Sequence, residues 1–192
     1  ILVSKRNMII PHIEENLDRG RYAPSLIPKR CPCCGKPTRI YARSGGKGGQ
    51  VATLHCDNPD CGNQTLRKFV HFVGKKAMDI SGLSEATLDR FISEGFLTTY
   101  QDLYHLDRYR NQIIRMEGFG TKSYEKLQES INASRKATFA RYLVAMDIPM
   151  IGRTASRALD NYFGGNLDAF EKAATSGFNF TTLPDFGATL SG

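Results

Sequence analysis

The spacing of apolar residues changes near residue 66, and the change divides the chain into two kinds of structure. Before it, short runs rich in β-branched and aromatic residues alternate with turn residues, at 1–3, 8–10, 38–43 and 51–55. Beyond it, apolar residues recur three and four positions apart, which is the spacing of one face of a helix. These stripes lie at 66–73, 88–92, 124–131, 142–146, 155–163 and 170–174. The pattern predicts β hairpins followed by a helical unit whose stripes form its core.

A six-residue pattern, apolar–x–x–apolar–Gly–x, recurs four times in the helical half, with Ser replacing Gly in the first copy. The copies begin at Ile80, Met116, Ile148 and Leu183, which are 36, 32 and 35 residues apart. A repeat at this period indicates one supersecondary unit used several times. We interpret the unit as a helix–hairpin–helix whose glycine turn exposes backbone N–H groups at a helix N-terminus, where a phosphate binds. The repeat therefore predicts contacts with a nucleic-acid backbone, and the units are expected to stack into one helical domain.

The four copies are not equivalent. Gly at the fifth position is expected to supply a positive φ and close approach to a phosphate. In the second and third copies the turn leads directly to a cation, whereas the first copy carries Ser84 and Glu85 and the fourth carries Asp185. In each copy the alternative is a glycine turn that only joins two helices. The residues predicted to contact DNA are Gly82, Gly118, Gly120, Thr121, Lys122, Gly152, Arg153, Thr154 and Gly187.

Composition and charge favour an acidic partner. The 192 residues include 26 Lys and Arg against 19 Asp and Glu, a net charge of +7. A basic balance favours nucleic acid, although it also serves solubility. No run approaches the 18 apolar residues of a transmembrane helix, and no secretory signal begins the chain. Because the chain lacks an initial Met and stops shortly after Gly187, we expect it to be part of a longer protein.

The five cysteines all lie between residues 31 and 61. Cys31-Pro-Cys-Cys-Gly35 contains a Cys-x-x-Cys knuckle, and Cys56-Asp-Asn-Pro-Asp-Cys61 supplies a second pair after 21 intervening residues. Two such pairs make a closed tetrahedral site for structural Zn²⁺. The predicted ligands are Cys31, Cys34, Cys56 and Cys61. A disulfide framework is the alternative, and it is disfavoured by the odd cysteine and the missing secretory signal.

Several other readings of this region stay open. Cys33 competes with its neighbours as a ligand and is taken as a bystander, because its spacing to either neighbour suits one metal poorly. His55 could replace a cysteine, although a histidine at a strand end more often faces solvent. The link 44–49, Ser-Gly-Gly-Lys-Gly-Gly, invites a phosphate-loop interpretation. That interpretation is disfavoured because no helix with Lys-Ser or Lys-Thr follows it.

The motifs together resemble the C-terminal half of bacterial NAD-dependent DNA ligase. The resemblance rests on 5–11 (Lys-Arg-Asn-Met-Ile-Ile-Pro), the two cysteine pairs, 71–83 (His-Phe-Val-Gly-Lys-Lys-Ala-Met-Asp-Ile-Ser-Gly-Leu), 102–106 (Asp-Leu-Tyr-His-Leu) and 118–123 (Gly-Phe-Gly-Thr-Lys-Ser). They cover nearly the whole chain in order. The departures are Asn7 and Met8 where the family tends to have Gly and Asp, and Ser84 in place of Gly.

The resemblance implies three domains: the end of an OB fold with its linker (1–28), a four-cysteine zinc finger (29–65), and a helix–hairpin–helix domain (66–192) whose fourth repeat is truncated. It also implies a cytoplasmic, nucleoid-associated monomer that clamps duplex DNA, preferably nicked. In the intact enzyme an N-terminal part would use NAD⁺ and Mg²⁺ to seal the nick.

No catalytic residues are predicted for this chain. It contains no Lys-x-Asp-Gly nucleophile motif, and its four histidines are scattered. The fragment is therefore expected to be inactive by itself. The alternative function is a non-catalytic zinc and helix–hairpin–helix module of another repair or recombination protein.

Overall fold

The computed structural model describes residues 2–6, 10–15, 17, 27–44, 50–183 and 186–187. The chain divides into two compact units, Ile1–Gly62 and Asn63–Gly192. About half of it is helical, and the first unit holds two small two-stranded sheets. The mainly helical class with a β-rich start is thus confirmed, whereas the division into three domains stays a prediction. None of the described helices combines the length and apolar character that crossing a membrane requires.

Both sheets of the first unit are antiparallel hairpins. Strands β1 (Leu2–Arg6) and β2 (Ile10–Glu15) pair with a register shift between Leu2 and Val3. Strands β3 (Thr38–Ser44) and β4 (Gln50–Cys56) pair in regular register, with Thr38 opposite Cys56. Strands β3 and β4 match the predicted runs 38–43 and 51–55, whereas β1 overlaps the run 1–3 and β2 begins at Ile10, the last residue of the run 8–10. The predicted turn residue Asn7, most of the connector 18–28 and the glycine-rich link 45–49 lie outside the described residues.

Each predicted helical stripe falls on a helix. The helices are α1 (Gly62–Val73), α2 (Glu85–Ser93), α3 (Arg110–Ile113), α4 (Thr121–Ser134), α5 (Phe139–Ala145), α6 (Arg153–Phe163) and α7 (Leu167–Thr175). Two 3₁₀ segments, Tyr100–Tyr109 and Phe180–Thr182, were not predicted. Helices α2, α4 and α6 begin at the sixth residue of the first three copies of the repeat, so these turns set the helix starts.

The second unit has two adjacent hydrophobic clusters. The larger is built around fully buried residues from α2, the first 3₁₀ segment and α4, including Leu88, Leu103 and Leu127. The smaller gathers α5, α6 and the fourth copy of the repeat, where Leu183 and Phe186 are buried. The fourth copy therefore contributes to the core through its two apolar positions.

Three members of the predicted stripes are not core residues: Met146, Tyr162 and Ala174, which is exposed on α7. Met146 is 37% exposed, and it lies one residue beyond the end of α5. Tyr162 is 56% exposed and contacts Phe163 edge to face at the surface, with ring centroids 4.9 Å apart. The stripe prediction is wrong at these three positions, because periodicity marks a helix face but not how far the neighbouring elements cover it.

Candidate metal centre and nucleic-acid interface

The structure brings the four predicted thiols together. The Sγ atoms of Cys31 and Cys61 are 3.8 Å apart, those of Cys34 and Cys56 are 3.5 Å apart, and all four lie within 4.8 Å of one another. A tetrahedral zinc with Zn–S bonds of about 2.3 Å places its sulfurs about 3.8 Å apart. The measured separations fit that geometry and are far longer than the disulfide bond of about 2.05 Å. The cluster could hold a metal.

Groups from both cysteine segments stabilise thiolates at this cluster. The pKa of the Cys34 thiol is lowered to about 6, first by the Asn58 side chain and next by the Lys36 amide. The pKa of Cys31 is also lowered, by the backbone amides of Cys34 and then Cys33. These amides reach the sulfurs because the chain reverses tightly here: the Cys31 N–H donates to the Lys36 carbonyl at 2.8 Å. Thiolates are the form that binds a metal.

Cys56 behaves differently from its neighbours. The Asn58 amide lowers its pKa, but burial and the nearby sulfurs of Cys34 and Cys31 outweigh that effect and raise it. Crowded sulfurs resist further ionisation because each added charge repels the others. A bound divalent cation would offset this repulsion. Metal binding would therefore favour loss of the remaining thiol protons.

The two competing ligands lie apart from the cluster. Cys33 is exposed, and its sulfur is not among the four that converge. His55 is exposed on β4, where its Nε2 lies 2.8 Å from the Thr53 hydroxyl and its ring contacts Tyr41 edge to face. The geometry therefore supports the four-cysteine set over either alternative.

The glycine turns of the repeat differ from the expected geometry. The fifth position was expected to need a positive φ, and this is wrong: φ is −67° at Ser84, −153° at Gly120 and −86° at Gly152. The positive φ occurs at the third position instead, with +89° at Gly82 and +78° at Gly118. Ser84 is therefore compatible with the turn, and the fifth position is the N-cap of the following helix.

The third copy places Met150 at the position with positive φ, at +68°. A side chain there is strained by about 1–2 kcal/mol, because Cβ crowds the backbone. We expect Met150→Gly to stabilise the second unit by about 0.5–1 kcal/mol, since glycine relieves the strain at some entropic cost. Denaturant unfolding measures the change. Met150→Ala is the control, since it removes the exposed side chain and keeps Cβ. Equal stability of the two variants would contradict the strain.

Helices α4 and α6 leave their first amides uncapped. Their N-caps are Gly120 and Gly152, no side chain caps them, and neither first turn contains an acidic residue. By contrast, α2, α5 and α7 are capped by hydroxyl or amide side chains, from Ser84, Thr138 and Asn166. An uncapped helix N-terminus presents unsatisfied N–H groups and a partial positive charge to solvent.

The cations predicted beside these turns are also accessible. Lys122 and Arg153 are exposed in the first turns of α4 and α6, as are Thr121 and Thr154. A Cβ at Gly120 or Gly152 would meet nothing within 4 Å, so both turn tips face open space. The second and third copies thus combine free amides, a cation and access.

The first copy is occupied by contacts within the protein. The Ser81 N–H donates to the Ser130 hydroxyl at 2.7 Å, and a Cβ at Gly82 would lie 3.7 Å from Leu127. Ser84 caps α2 by accepting from the Thr87 N–H at 3.1 Å. In the fourth copy Gly187 faces open space, while Asp185 and the residues after Gly187 lie outside the described residues. The first copy is therefore arranged to pack against α4.

The fold and the site together define a modular protein, with a four-cysteine ribbon in one unit and glycine-turn helical repeats in the other. No family model matches the chain. Curated relatives named DNA ligase do match it: it is 42% identical to that of Ruminiclostridium cellulolyticum over 91% of this chain, 34% to that of Lachnoclostridium phytofermentans over 100%, and 31% to that of Thermomicrobium roseum over 100%. The chain spans 25%, 28% and 26% of the length of these relatives. It is homologous to one part of DNA ligase, consistent with a C-terminal fragment of that enzyme, and the resemblance to DNA ligase drawn from its motifs is confirmed.

Proposed function

We propose that this chain is the DNA-clamping C-terminal portion of an NAD-dependent DNA ligase. It holds duplex DNA, preferably nicked, through the phosphate backbone and without sequence preference. The observation that carries the proposal is the pair of uncapped helix N-termini at Gly120 and Gly152, each followed by an exposed cation. Phosphate is the ligand that such a terminus favours, because it accepts the free N–H groups and complements the helix dipole.

The two proposed phosphate sites, at the second and third hairpin turns, use the same kinds of group. At each, the backbone amides bind one phosphate, and Lys122 or Arg153 pairs with it. Thr121 and Thr154 add hydroxyl donors in the same first turns. These groups would contact only the sugar–phosphate backbone. They would therefore position the duplex without reading its base sequence.

Zinc is the metal we propose for the cluster of Cys31, Cys34, Cys56 and Cys61. Four thiolates fill a tetrahedral zinc site, leaving no open position for a substrate, so the metal is structural. It would hold the β3–β4 ribbon in shape and take no part in ligation.

The whole enzyme would supply the chemistry. In the proposed ligase, NAD⁺ and Mg²⁺ would be bound by residues outside this chain, and NAD⁺ would supply the AMP that activates the 5′-phosphate at the nick. The 192 residues contain no Lys-x-Asp-Gly motif, so we propose that this portion by itself has no ligase activity. The relatives named DNA ligase favour this enzyme over a non-catalytic repair module. A Lys-x-Asp-Gly motif in the upstream coding sequence would decide between them.

The proposal predicts salt-dependent binding of duplex DNA. Fluorescence anisotropy with labelled nicked and intact duplexes, at several salt concentrations, gives log K against log salt. Each of Lys122→Ala and Arg153→Ala should weaken binding to all sequences alike and flatten the slope by about one. Lys172→Ala on α7 is the matched control and should leave the slope unchanged. Binding that is independent of salt, or that depends on base sequence, would contradict a phosphate clamp.

A further inference from the structure

Two adjacent cavities in the helical unit share a group of cations in their lining. The first, of about 470 Å³, is lined by Lys75, Lys76, Arg141, Arg153 and Arg157 together with small and apolar residues, and it includes no carboxylate. The second, of about 500 Å³, shares Lys75, Lys76 and Arg153 with the first. The two cavities are therefore neighbouring parts of one groove, here called the basic cleft.

The cations of the basic cleft come from separate parts of the sequence. Lys75 and Lys76 belong to the turn after α1, while Arg153 and Arg157 lie one helical turn apart on α6. Residues four apart share a helix face, so both arginines reach the same groove. All four side chains are exposed, and none makes an ion pair with a carboxylate among the described residues.

Arg141 fixes the turn that carries the two lysines. Its Nε donates to the Ala77 carbonyl at 2.8 Å, and its Nη2 donates to the Lys75 carbonyl at 2.9 Å. Its Nη2 also lies 3.5 Å from the Asp79 carboxylate. These bonds tie the turn to α5, the helix before the third hairpin, and they hold the lysines opposite α6. Hydrogen bonds within the protein therefore fix one wall of the cleft. Arg141 positions Lys75 and Lys76, and its own charge is partly balanced by Asp79.

The carboxylates near the cleft do not neutralise it. Asp79 is paired with Arg141, and Asp147 lines only the second cavity, where it lies 3.9 Å from the His71 Nε2. Like charges collected in a groove with low-dielectric walls focus a positive potential and attract a polyanion. The second cavity also includes Gly152, so the cleft opens onto the tip of the third hairpin.

We propose that the basic cleft is a second phosphate-binding surface, in which Lys75, Lys76 and Arg157 hold the DNA strand that runs past the third hairpin. The inference rests on the proposed function and extends it. The third hairpin binds one phosphate at its tip, and the cleft binds neighbouring phosphates of the same strand. The first copy of the repeat thereby contributes to DNA binding through the lysines before it, although its own turn is occupied by α4.

The test compares charge-matched variants of the 192-residue chain, purified with zinc present. Lys75→Gln with Lys76→Gln should weaken duplex binding by roughly 10- to 100-fold and reduce the salt slope by about two. Arg157→Gln should reduce the slope by about one. The control is Lys68→Gln with Lys172→Gln, which removes the same charge from exposed positions outside the cleft, and which should change the slope little. Circular dichroism confirms that each variant is folded.

The outcomes separate this inference from the proposed function. If the wild-type chain binds duplex DNA and the cleft variants bind as the control does, the inference is overturned and the clamp stands. If the wild-type chain binds no duplex, both fail. Inorganic tripolyphosphate provides the remaining arm. If the cleft variants lose tripolyphosphate binding but keep duplex affinity, the cleft is a site for small anions and the inference is again overturned.

Discussion

Removal of the metal from the four-cysteine cluster is expected to unfold residues 31–61 and to leave helices α2 to α7 intact. Within 27–44 and 50–62, the described part of the ribbon, the buried side chains that are not polar are those of Cys31 and Cys61. The strands cannot supply a core, because Ile40 and Leu54 are 56% and 43% exposed. Structural zinc contributes on the order of 10–16 kcal/mol in small domains of this kind near neutral pH.

Amide hydrogen exchange, read residue by residue before and after chelation, measures this effect. Amides of β3 and β4 should lose protection, while those of the buried helical core should keep it, because the two regions belong to separate compact units. Acidification should act in the same direction as chelation. A metal-bound thiolate must be protonated to leave the metal, so affinity falls as pH falls.

Two neighbouring cysteines provide a matched pair for the same prediction. Cys34→Ser should abolish tight zinc binding, because Cys34 is one of the four convergent sulfurs. Cys33→Ser should leave zinc stoichiometry at one per chain, because Cys33 is exposed and outside the cluster. Equal loss in both variants, or an unchanged ribbon after complete metal removal, would contradict a structural zinc at this site.

The sequence predicted best those features that depend on local spacing. The cysteine pairs were recognisable because a knuckle is specified by a few adjacent residues, and the helices because their apolar stripes are periodic. The 3₁₀ segment Tyr100–Tyr109 was missed, and its start is fixed by a capping box that joins Thr99 and Asp102. Asp102 accepts from the Thr98 and Thr99 amides at 2.9 and 2.7 Å, which also lowers its pKa.

Features that depend on tertiary contact were not predictable. The first two copies of the repeat carry glycine at the third position as well as the pattern glycine or serine at the fifth, and the sequence does not say which position needs the positive φ. The third copy carries Met150 at its third position, and the sequence alone gives no sign that this residue adopts a positive φ. The basic cleft was missed because Arg141 and Lys75 are 66 residues apart in sequence and meet only after folding. The sequence showed the cations, but only the fold shows which of them share a groove.

An acidic residue at the two glycine N-caps should change stability and DNA affinity in opposite directions. Gly120→Asp and Gly152→Asp each place a carboxylate where α4 or α6 begins. Both glycines have negative φ, and a Cβ at either meets nothing within 4 Å, so the substitutions are sterically allowed. Aspartate caps the free amides and complements the helix dipole, which should stabilise each helix by about 0.5–1 kcal/mol.

The same carboxylate should weaken duplex binding by roughly tenfold to a hundredfold. It occupies the amides that would bind the phosphate, and it repels the phosphate itself. Thermal unfolding and fluorescence anisotropy with the same protein samples measure the two effects. A loss of affinity accompanied by a loss of stability would show only a damaged fold, but a loss of affinity with a raised unfolding temperature identifies the amides as the binding groups.

Asn166→Asp is the matched control for this pair. Asn166 caps α7 by accepting from the Ala169 N–H at 3.0 Å, so the substitution adds the same charge at a helix start that has no proposed phosphate. Its affinity should fall only by the general effect of one added negative charge. If Gly120→Asp and Gly152→Asp bind duplex as tightly as Asn166→Asp does, the hairpin tips do not hold phosphates. The glycines would then serve only to let the backbone turn into α4 and α6, and the uncapped amides would bind no ligand.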